Sequence, residues 1–122
     1  MLLPGAVKVY VATQPVRLNR SFDGLSNVVR EVLGKDPLSG HVFVFINRRR
    51  TMVKLLVWTR GGFTIVHKRL ERGTFARVFD RDETRPHVEL DVHELSMLLE
   101  GIELATGRVS KRWSPARPVR VA

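Results

Sequence analysis

The segment between Asn47 and Phe75 combines apolar, strand-like runs with a high density of positive charge, and Glu71 is its only acid. Arginine donates two parallel hydrogen bonds to a phosphate and stays charged at any ordinary pH. A hairpin sheet with such side chains on its turns and strand ends is suited to holding phosphates. The segment therefore predicts nucleic-acid binding more than catalysis. The candidate nucleic-acid-binding residues are Arg48, Arg49, Arg50, Lys54, Arg60, Lys68, Arg69 and Arg72.

The overall charge favours the same interpretation. The chain has 122 residues, enough for one domain, and a formal net charge of +9 with a pI near 11.2. Such an excess repels itself and usually persists where an acidic partner neutralises it, so DNA is the predicted partner. An anionic membrane is disfavoured, because no amphipathic helix concentrates Lys and Arg on one face. If about six to eight cations contact phosphates, the log–log slope of affinity against salt should be about −5 to −7.

Acids and histidines crowd a second stretch, where a loop could gather some of them around a magnesium ion. They are Asp80, Asp82, Glu83, His87, Glu89, Asp91 and His93. His87 and His93 lack the spacing of a zinc pair on a helix, and a run of this kind is more often a solvated loop. We therefore predict no metal site, no cofactor and no catalytic residue. A metal-dependent nuclease that uses the acidic 80–91 segment remains the alternative from the enzyme class.

The chain contains no cysteine, which excludes disulfides, thiolate zinc sites and cysteine nucleophiles. Its start lacks the basic region and long apolar run of a signal peptide. No apolar run approaches the roughly 20 residues that cross a bilayer. These features predict a cytoplasmic protein without membrane contact.

The periodicity of the chain predicts an α+β fold, with a mainly antiparallel sheet of four to five strands and two principal helices. Alternating β-branched and aromatic residues indicate strands, and short connectors between three of them imply antiparallel neighbours. The predicted strands cover residues 7–12, 41–46, 52–59 and 63–70, with a further short strand over 74–79.

Two apolar stripes predict the helices. The stripe of the first helix consists of Leu18, Phe22, Leu25, Val29 and Val32. Gly34 is placed to end this helix in a left-handed turn. The second helix begins at Asp91, which has the spacing of a capping box with Glu94. The predicted buried face of this second helix consists of Leu95, Leu98, Leu99 and Ile102.

The strand over 52–59 is apolar on both faces except for Lys54, which is typical of a strand covered on both sides. Helices or a second subunit could provide that cover, so a homodimer is left open. Residues 1–106 are predicted to form a single α+β domain. Residues 107–122 are basic, contain two prolines and are predicted to form a flexible tail.

Several aromatic residues could stack on unpaired bases. Phe43, Phe45, Trp58 and Phe63 each fall within an apolar strand, which favours a place in the sheet core. Trp113 lies among basic residues of the tail, where stacking on a partner and packing back onto the domain both stay open.

Several motifs follow one another in an order and at a spacing that resemble a known family. They are Val9-Tyr10-Val11-Ala12-Thr13-x-Pro15, Phe22-Asp23-Gly24-Leu25, Asp36-Pro37-x-Ser39-Gly40-His41-Val42-Phe43-Val44-Phe45, Asn47-Arg48-Arg49-Arg50, Lys54-Leu55-Leu56-x-Trp58, Gly62-Phe63, Lys68-Arg69-Leu70-Glu71-Arg72-Gly73-x-Phe75 and Leu98-Leu99-Glu100-Gly101-Ile102. No single motif is specific, but the ordered series resembles the small accessory protein of the insertion sequence sixty-six family. This protein is the product of the element's second open reading frame and is often called TnpB.

The resemblance implies a bacterial protein that is needed for transposition of a mobile element, with a separate, larger transposase as its partner and as the source of the strand-transfer chemistry. It carries over no catalytic residue. Together with the basic hairpin, it predicts a non-catalytic accessory protein that binds DNA and assists assembly with the transposase. A protein-only adaptor that contacts the transposase without touching DNA is a second alternative.

Two departures from the family pattern concern the basic hairpin. Thr51 stands where relatives tend to have an aspartate, and Trp58-Thr59-Arg60 stands where they often read Trp-Asp-Gly. Both changes remove negative charge beside the predicted phosphate-binding face. They are compatible with DNA contact and would remove any catalytic role of those acids.

Overall fold

A computed structural model describes residues 7–76 and 85–101 of the chain. In this part of the chain five strands form one sheet in the order β4-β3-β2-β1-β5, with two helices packed on it. β1 and β2 pair in parallel, whereas the other neighbouring strands pair antiparallel. The α+β prediction is therefore confirmed. The elements are β1 Val9–Ala12, α1 Phe22–Glu31, β2 Val42–Ile46, β3 Met52–Thr59, β4 Gly62–Arg69, β5 His87–Leu90 and α2 Val92–Leu99.

The parallel pair exists because α1 lies between β1 and β2 in the chain and carries it back along the sheet, as a parallel connection requires. The helix buries Leu25, Val28 and Val29 against one face of the sheet. Phe22 and Val32, which the predicted stripe included, are 43% and 52% exposed. Phe22 is the first residue of the helix and Val32 follows its last residue. At these ends the helix no longer packs closely on the sheet, so both side chains remain exposed although they continue the stripe.

The sheet separates two apolar clusters. On the first-helix face, α1 covers a cluster that includes Tyr10, Phe43, Phe45 and Leu56. The opposite, second-helix face carries a cluster to which α2 contributes Leu95 and Leu98 and the segment after β4 contributes Phe75. Leu99 is partly buried against this cluster, and Ile102 lies outside the described residues. β3 lies between both layers, which confirms that it is covered on its two faces. The chain itself supplies this cover.

The second helix begins as its sequence indicates. The Asp91 carboxylate accepts a hydrogen bond from the Glu94 backbone N–H at 2.7 Å, and the Glu94 carboxylate accepts one from the Asp91 N–H at 3.1 Å. These reciprocal bonds form the predicted capping box. Gly34, after the first helix, has a φ of 65°, the left-handed conformation expected there.

The region after β4 is less regular than predicted. Residues 74–76 form no strand, and Phe75 is instead fully buried beneath the sheet. Residues 77–79 of that predicted strand lie outside the described residues. β5, which the sequence analysis did not assign, pairs antiparallel with β1, so that Tyr10 lies opposite Glu89. Neither described helix is long and apolar enough to cross a membrane.

Candidate nucleic-acid interface

The turn between β2 and β3 presents the arginine run, and Asn47 determines its shape. The Asn47 side-chain oxygen accepts hydrogen bonds from the backbone N–H groups of Thr51 at 2.9 Å and Met52 at 3.0 Å. Its amide nitrogen donates to the Thr51 hydroxyl at 3.1 Å, and its backbone carbonyl accepts from the Arg50 N–H at 3.0 Å. The side chain and the backbone of one residue, Asn47, thus hold the turn, with Arg48 and Arg49 exposed at its tip.

Arg50 performs an internal task. Its φ is 58°, and its Nη1 donates a hydrogen bond to the Phe75 carbonyl at 3.0 Å. The Phe75 N–H in turn donates to the Arg50 carbonyl at 2.7 Å. Because Phe75 belongs to the core of the second-helix face, these bonds fasten the segment after β4 beneath the arginine turn. At least part of the Arg50 hydrogen-bonding capacity is therefore used within the molecule.

Three further candidates also have partners inside the chain. The Lys54 ammonium donates to the Arg20 carbonyl at 2.8 Å. The Lys68 ammonium donates at 2.7 Å to the carbonyl of Leu99, the last residue of α2. Arg69 forms an ion pair with Glu71 at 3.1 Å, in which the two side chains are 68% and 79% exposed. An ion pair that is so exposed contributes little to stability and is open to competition from another anion.

The remaining candidates point outward. Arg48, Arg49, Arg60 and Arg72 are exposed, and no hydrogen bond or ion pair within residues 7–76 and 85–101 engages their side chains. Their guanidinium groups are consequently available to an anion from solution.

The structure divides the candidates between two ends of the β3–β4 hairpin. Met52 pairs with Arg69 at one end, and Thr59 pairs with Gly62 at the other. β3 has 8 residues, so these ends are roughly 25 Å apart at about 3.3 Å per residue. The first end, which we call the arginine end, carries Arg48, Arg49, Arg50, Arg69 and Arg72, and the second carries Arg60. Lys54 and Lys68 lie between the ends on opposite faces, as their contacts with Arg20 and Leu99 show.

Two cations outside the predicted set have backbones near the arginine end. Arg17 follows Val16, whose N–H donates to the carbonyl of Ile46 at the end of β2 at 3.1 Å. Arg85 precedes β5, and its carbonyl accepts a hydrogen bond from the Thr13 hydroxyl. In the sequence these are isolated arginines in loops. Only the parallel pairing of β1 with β2 brings their segments to the edge that carries the arginine turn, so no local signal would have found them.

The aromatic candidates fall into two groups. Phe43 and Phe45 are fully buried on the first-helix face. Trp58 and Phe63 lie opposite each other on β3 and β4, with their rings edge to face at a centroid distance of 4.9 Å, and both remain partly exposed. The expectation of a core position therefore holds for the first pair and applies only in part to the second.

Three polar side chains surround the ring of Tyr10. The rings of His41 and His87 meet Tyr10 edge on at 5.8 Å and 5.1 Å, and the Lys35 ammonium lies 4.6 Å above its ring. Burial, together with the charge of Lys35, lowers the pKa of His87 below its ordinary value of 6.5, against a smaller opposing effect of Glu89. His87 Nδ1 is buried without a hydrogen-bond partner among the described residues.

The acids proposed for a nuclease are only partly described. Asp80, Asp82 and Glu83 lie outside the described residues. Asp91 is engaged in the capping box and Glu89 is exposed on β5. Within residues 7–76 and 85–101, His, Asp and Glu side chains form no group of three or more that could hold a metal ion.

The fold and the distribution of charge define a small basic α+β protein that displays arginines on the turns of a sheet. Comparison with known proteins identifies its family. The chain belongs to the family described as IS66 Orf2 like protein, whose model matches residues 7–108. This membership confirms the resemblance found in the sequence and supports an accessory role in insertion-sequence transposition.

Two relatives come from Sinorhizobium fredii (strain NBRC 101917 / NGR234). The chain is 33% identical to the uncharacterized protein y4jC over 116 residues, which cover 95% of this chain and 94% of the relative. It is 33% identical to the uncharacterized protein y4hO over 112 residues, which cover 91% and 92%. No solved structure matches the chain significantly.

Proposed function

We propose that this protein is a non-catalytic, cytoplasmic accessory factor of insertion-sequence transposition, which binds DNA through its basic hairpin and helps to assemble a complex with a separate transposase. The observation that carries the DNA-binding part is the arginine end. There Arg48 and Arg49 project from a turn held by Asn47, on the same edge as Arg72, and none of the three arginines has a partner in the described structure. Guanidinium groups that project from a fixed backbone and do not have to break internal bonds are favourable phosphate ligands.

Backbone strain at the two turns supports a role for their arginines. The non-glycine residues with positive φ in the described part of the chain are Arg50 at 58° and Arg60 at 42°. A residue with a Cβ atom costs roughly 1–2 kcal/mol in this conformation, whereas glycine adopts it freely. Strained positions of this kind cluster at functional sites. At Arg50 the contact with Phe75 explains the residue type. At Arg60 the positive φ belongs to the tight turn with Gly61, and the exposed side chain is available to an anion.

The net charge supports the same partner. A protein with a net charge of +9 attracts any polyanion, so the specific claim concerns where the charge acts. In our proposal the DNA backbone lies across the arginine end. Contacts to phosphates position a protein on DNA without reading sequence, so the arginines would supply affinity and the register, and the transposase would supply the chemistry.

The test is a DNA-binding titration at two ionic strengths, with a duplex from the element end and a scrambled duplex of the same length. Arg48→Ala combined with Arg49→Ala should weaken binding to both duplexes alike and reduce the steepness of the log–log salt dependence by about 2, because each lost phosphate contact removes about 1. Lys8→Ala combined with Arg30→Ala is the matched control. It removes the same charge from exposed positions away from the arginine end and should leave the slope unchanged.

Two outcomes would contradict the proposal. If the Arg48/Arg49 variant keeps full affinity and slope, the arginine end does not hold DNA. If the control pair weakens binding equally, the effect is one of net charge and not of this surface.

A protein-only adaptor is the second candidate, and the outer edge of β4, which pairs with no other strand among the described residues, favours it. β4 has 8 residues and pairs with β3 on one side, as the last strand of the described sheet. A free edge of this length can accept a strand from another chain, either from a transposase or from a second copy in a homodimer. Association with the transposase that does not depend on salt, together with no retention of DNA in a gel shift, would favour this adaptor.

A further inference from the structure

We propose that the first-helix face of the β3–β4 hairpin is a binding site for single-stranded DNA, where an unpaired base stacks on the Trp58–Phe63 pair and the strand continues along β4 toward the arginine end. This inference rests on the proposed function and specifies its substrate. We call this surface the hairpin strip, and it consists of Trp58, Phe63, Ile65, His67 and Arg69.

The aromatic pair begins the hairpin strip. Trp58 and Phe63 are cross-strand partners next to the turn, with ring planes at 75° to each other. Because the edge of one ring packs against the face of the other, the two rings restrict each other's orientation although both are partly exposed. Stacking of a base on an aromatic side chain tolerates any sequence, because every base has a π-face.

Alternation along β4 arranges the rest of the strip. Residues two apart in a strand share a face, so Phe63, Ile65, His67 and Arg69 form one row on the first-helix face. Phe63 and Ile65 are partly buried against the core beneath α1, whereas His67 and Arg69 are exposed. The row therefore changes from apolar and aromatic at one end to cationic at the other, over roughly 20 Å at about 3.3 Å per residue.

The row also accounts for the presence of candidate arginines at both ends of the hairpin. Arg60 lies in the turn beside the aromatic pair, and Arg69 lies at the arginine end. A polyanion laid along the strip would meet cations at both ends and an apolar, aromatic platform between them. A basic groove with aromatic platforms is the arrangement that proteins use for single strands. A duplex keeps its base faces stacked inside the helix, so it could use the cations but not the platform.

The first measurement leaves the hairpin unchanged. The chain has two tryptophans, Trp58 and Trp113, so in a full-length Trp113→Phe protein the fluorescence of tryptophan reports on Trp58 alone. Titration with oligothymidine should quench this emission, and a duplex of equal length should bind without comparable quenching. Absence of quenching while oligothymidine binds would overturn the inference.

The second measurement compares affinities. Trp58→Leu and Phe63→Leu should each weaken binding of oligothymidine by roughly 5- to 150-fold, which corresponds to the about 1–3 kcal/mol that stacking of one base contributes. Affinity for the duplex should change less than twofold. Phe22→Leu is the matched control, because it removes another exposed aromatic ring, on α1, and should change neither affinity. Equal loss in the control, or no loss in either hairpin variant, would overturn the proposal.

The outcomes separate this inference from the function on which it rests. Duplex binding that depends on Arg48 and Arg49, without any response of Trp58 to oligothymidine, would refute the hairpin strip and leave the proposed function intact. If the unmodified protein binds neither the duplex nor oligothymidine, both the hairpin strip and the proposed DNA-binding function are refuted. Trp58 emission that changes with protein concentration and not with oligonucleotide would assign the strip to a second copy of the chain, and would also overturn the inference.

Discussion

Replacement of Lys68 by methionine separates the structural cations from those proposed to bind DNA. The Lys68 ammonium donates at 2.7 Å to the Leu99 carbonyl, at the C-terminal end of α2. A helix C-terminus carries partial negative charge and carbonyls without helical partners. Lys68→Met keeps most of the aliphatic stem but removes both the charge and the donor. From the sequence alone, Lys68 is predicted to be a DNA ligand.

The size of the effect follows from that contact. A hydrogen bond to a charged group contributes about 1.5–3 kcal/mol when it is well formed, and a cation at a helix C-terminus about 0.3–1 kcal/mol when exposed. These two values describe overlapping parts of one interaction in a partly buried place, so we expect a loss of about 1–2 kcal/mol. For a domain of this size that corresponds to a fall in Tm of roughly 4–10 °C.

DNA binding, in contrast to stability, should not depend on Lys68. Four outward arginines, Arg48, Arg49, Arg60 and Arg72, would give a salt slope of about −3.6 for duplex DNA, whereas all eight predicted cations would give about −7. Lys68→Met should therefore leave the slope unchanged, and Arg48→Ala with Arg49→Ala should reduce it by about 2 without a large change in Tm.

Thermal unfolding followed by circular dichroism, and fluorescence anisotropy of a labelled duplex at several salt concentrations, give both quantities. Differences between variants are the useful measure, since the cations of residues 107–122 add the same charge to every variant. If Lys68→Met lowers the slope by about 1 and leaves Tm unchanged, Lys68 acts as a DNA ligand and its contact with α2 does not stabilise the fold.

Three further predictions concern single sites. Asp91→Ala should lower the free energy of unfolding by about 1 kcal/mol through loss of the capping box, whereas Asp91→Asn should lose much less, as urea unfolding would reveal. Arg60→Asn should preserve the hairpin, because asparagine tolerates positive φ before Gly61, while DNA affinity falls; unchanged affinity would remove Arg60 from the interface. Because the pKa of His87 is lowered in the folded state, its contribution to folding stability is complete above pH 6.5. That contribution is lost as the pH falls through the lower pKa of the folded state. Tm should decrease between pH 7 and 5, and His87→Leu should flatten that decrease.

Local patterns predicted the elements of this fold well where one interaction dominates. Met52–Thr59 is a strand at the predicted bounds, and the capping box of Asp91 is present, because alternation and cap spacing are properties of a few adjacent residues. β5 was missed because its 4 residues form a strand only by pairing with β1. The exposed ends of α1 were assigned to the core because the stripe does not show where the helix begins and ends.

The candidate site illustrates the same limit. The sequence shows that Arg48 to Arg50 lie in a connector, but all three look alike there. Their difference arises from Phe75, far along the chain, which engages Arg50 and leaves Arg48 and Arg49 outside. The partners of Lys54 and Lys68 likewise come from other layers of the fold. Charge density can be read locally, whereas the availability of each charge depends on tertiary contacts.

The fastening of the arginine turn has a consequence for the thermodynamics of recognition. Asn47 holds the turn from within, and Arg50 and Thr51 bind the backbone of Phe75 and Leu70 beneath it. A flexible loop must lose conformational freedom when it meets a ligand, and that loss opposes association. Here folding has already removed most of this freedom from the backbone of residues 47–51. Binding of a polyanion should accordingly require little rearrangement of the turn after contact. The bonded amide hydrogens of Arg50, Thr51 and Met52 should exchange more slowly than those of Arg48 and Arg49 even in the unbound protein.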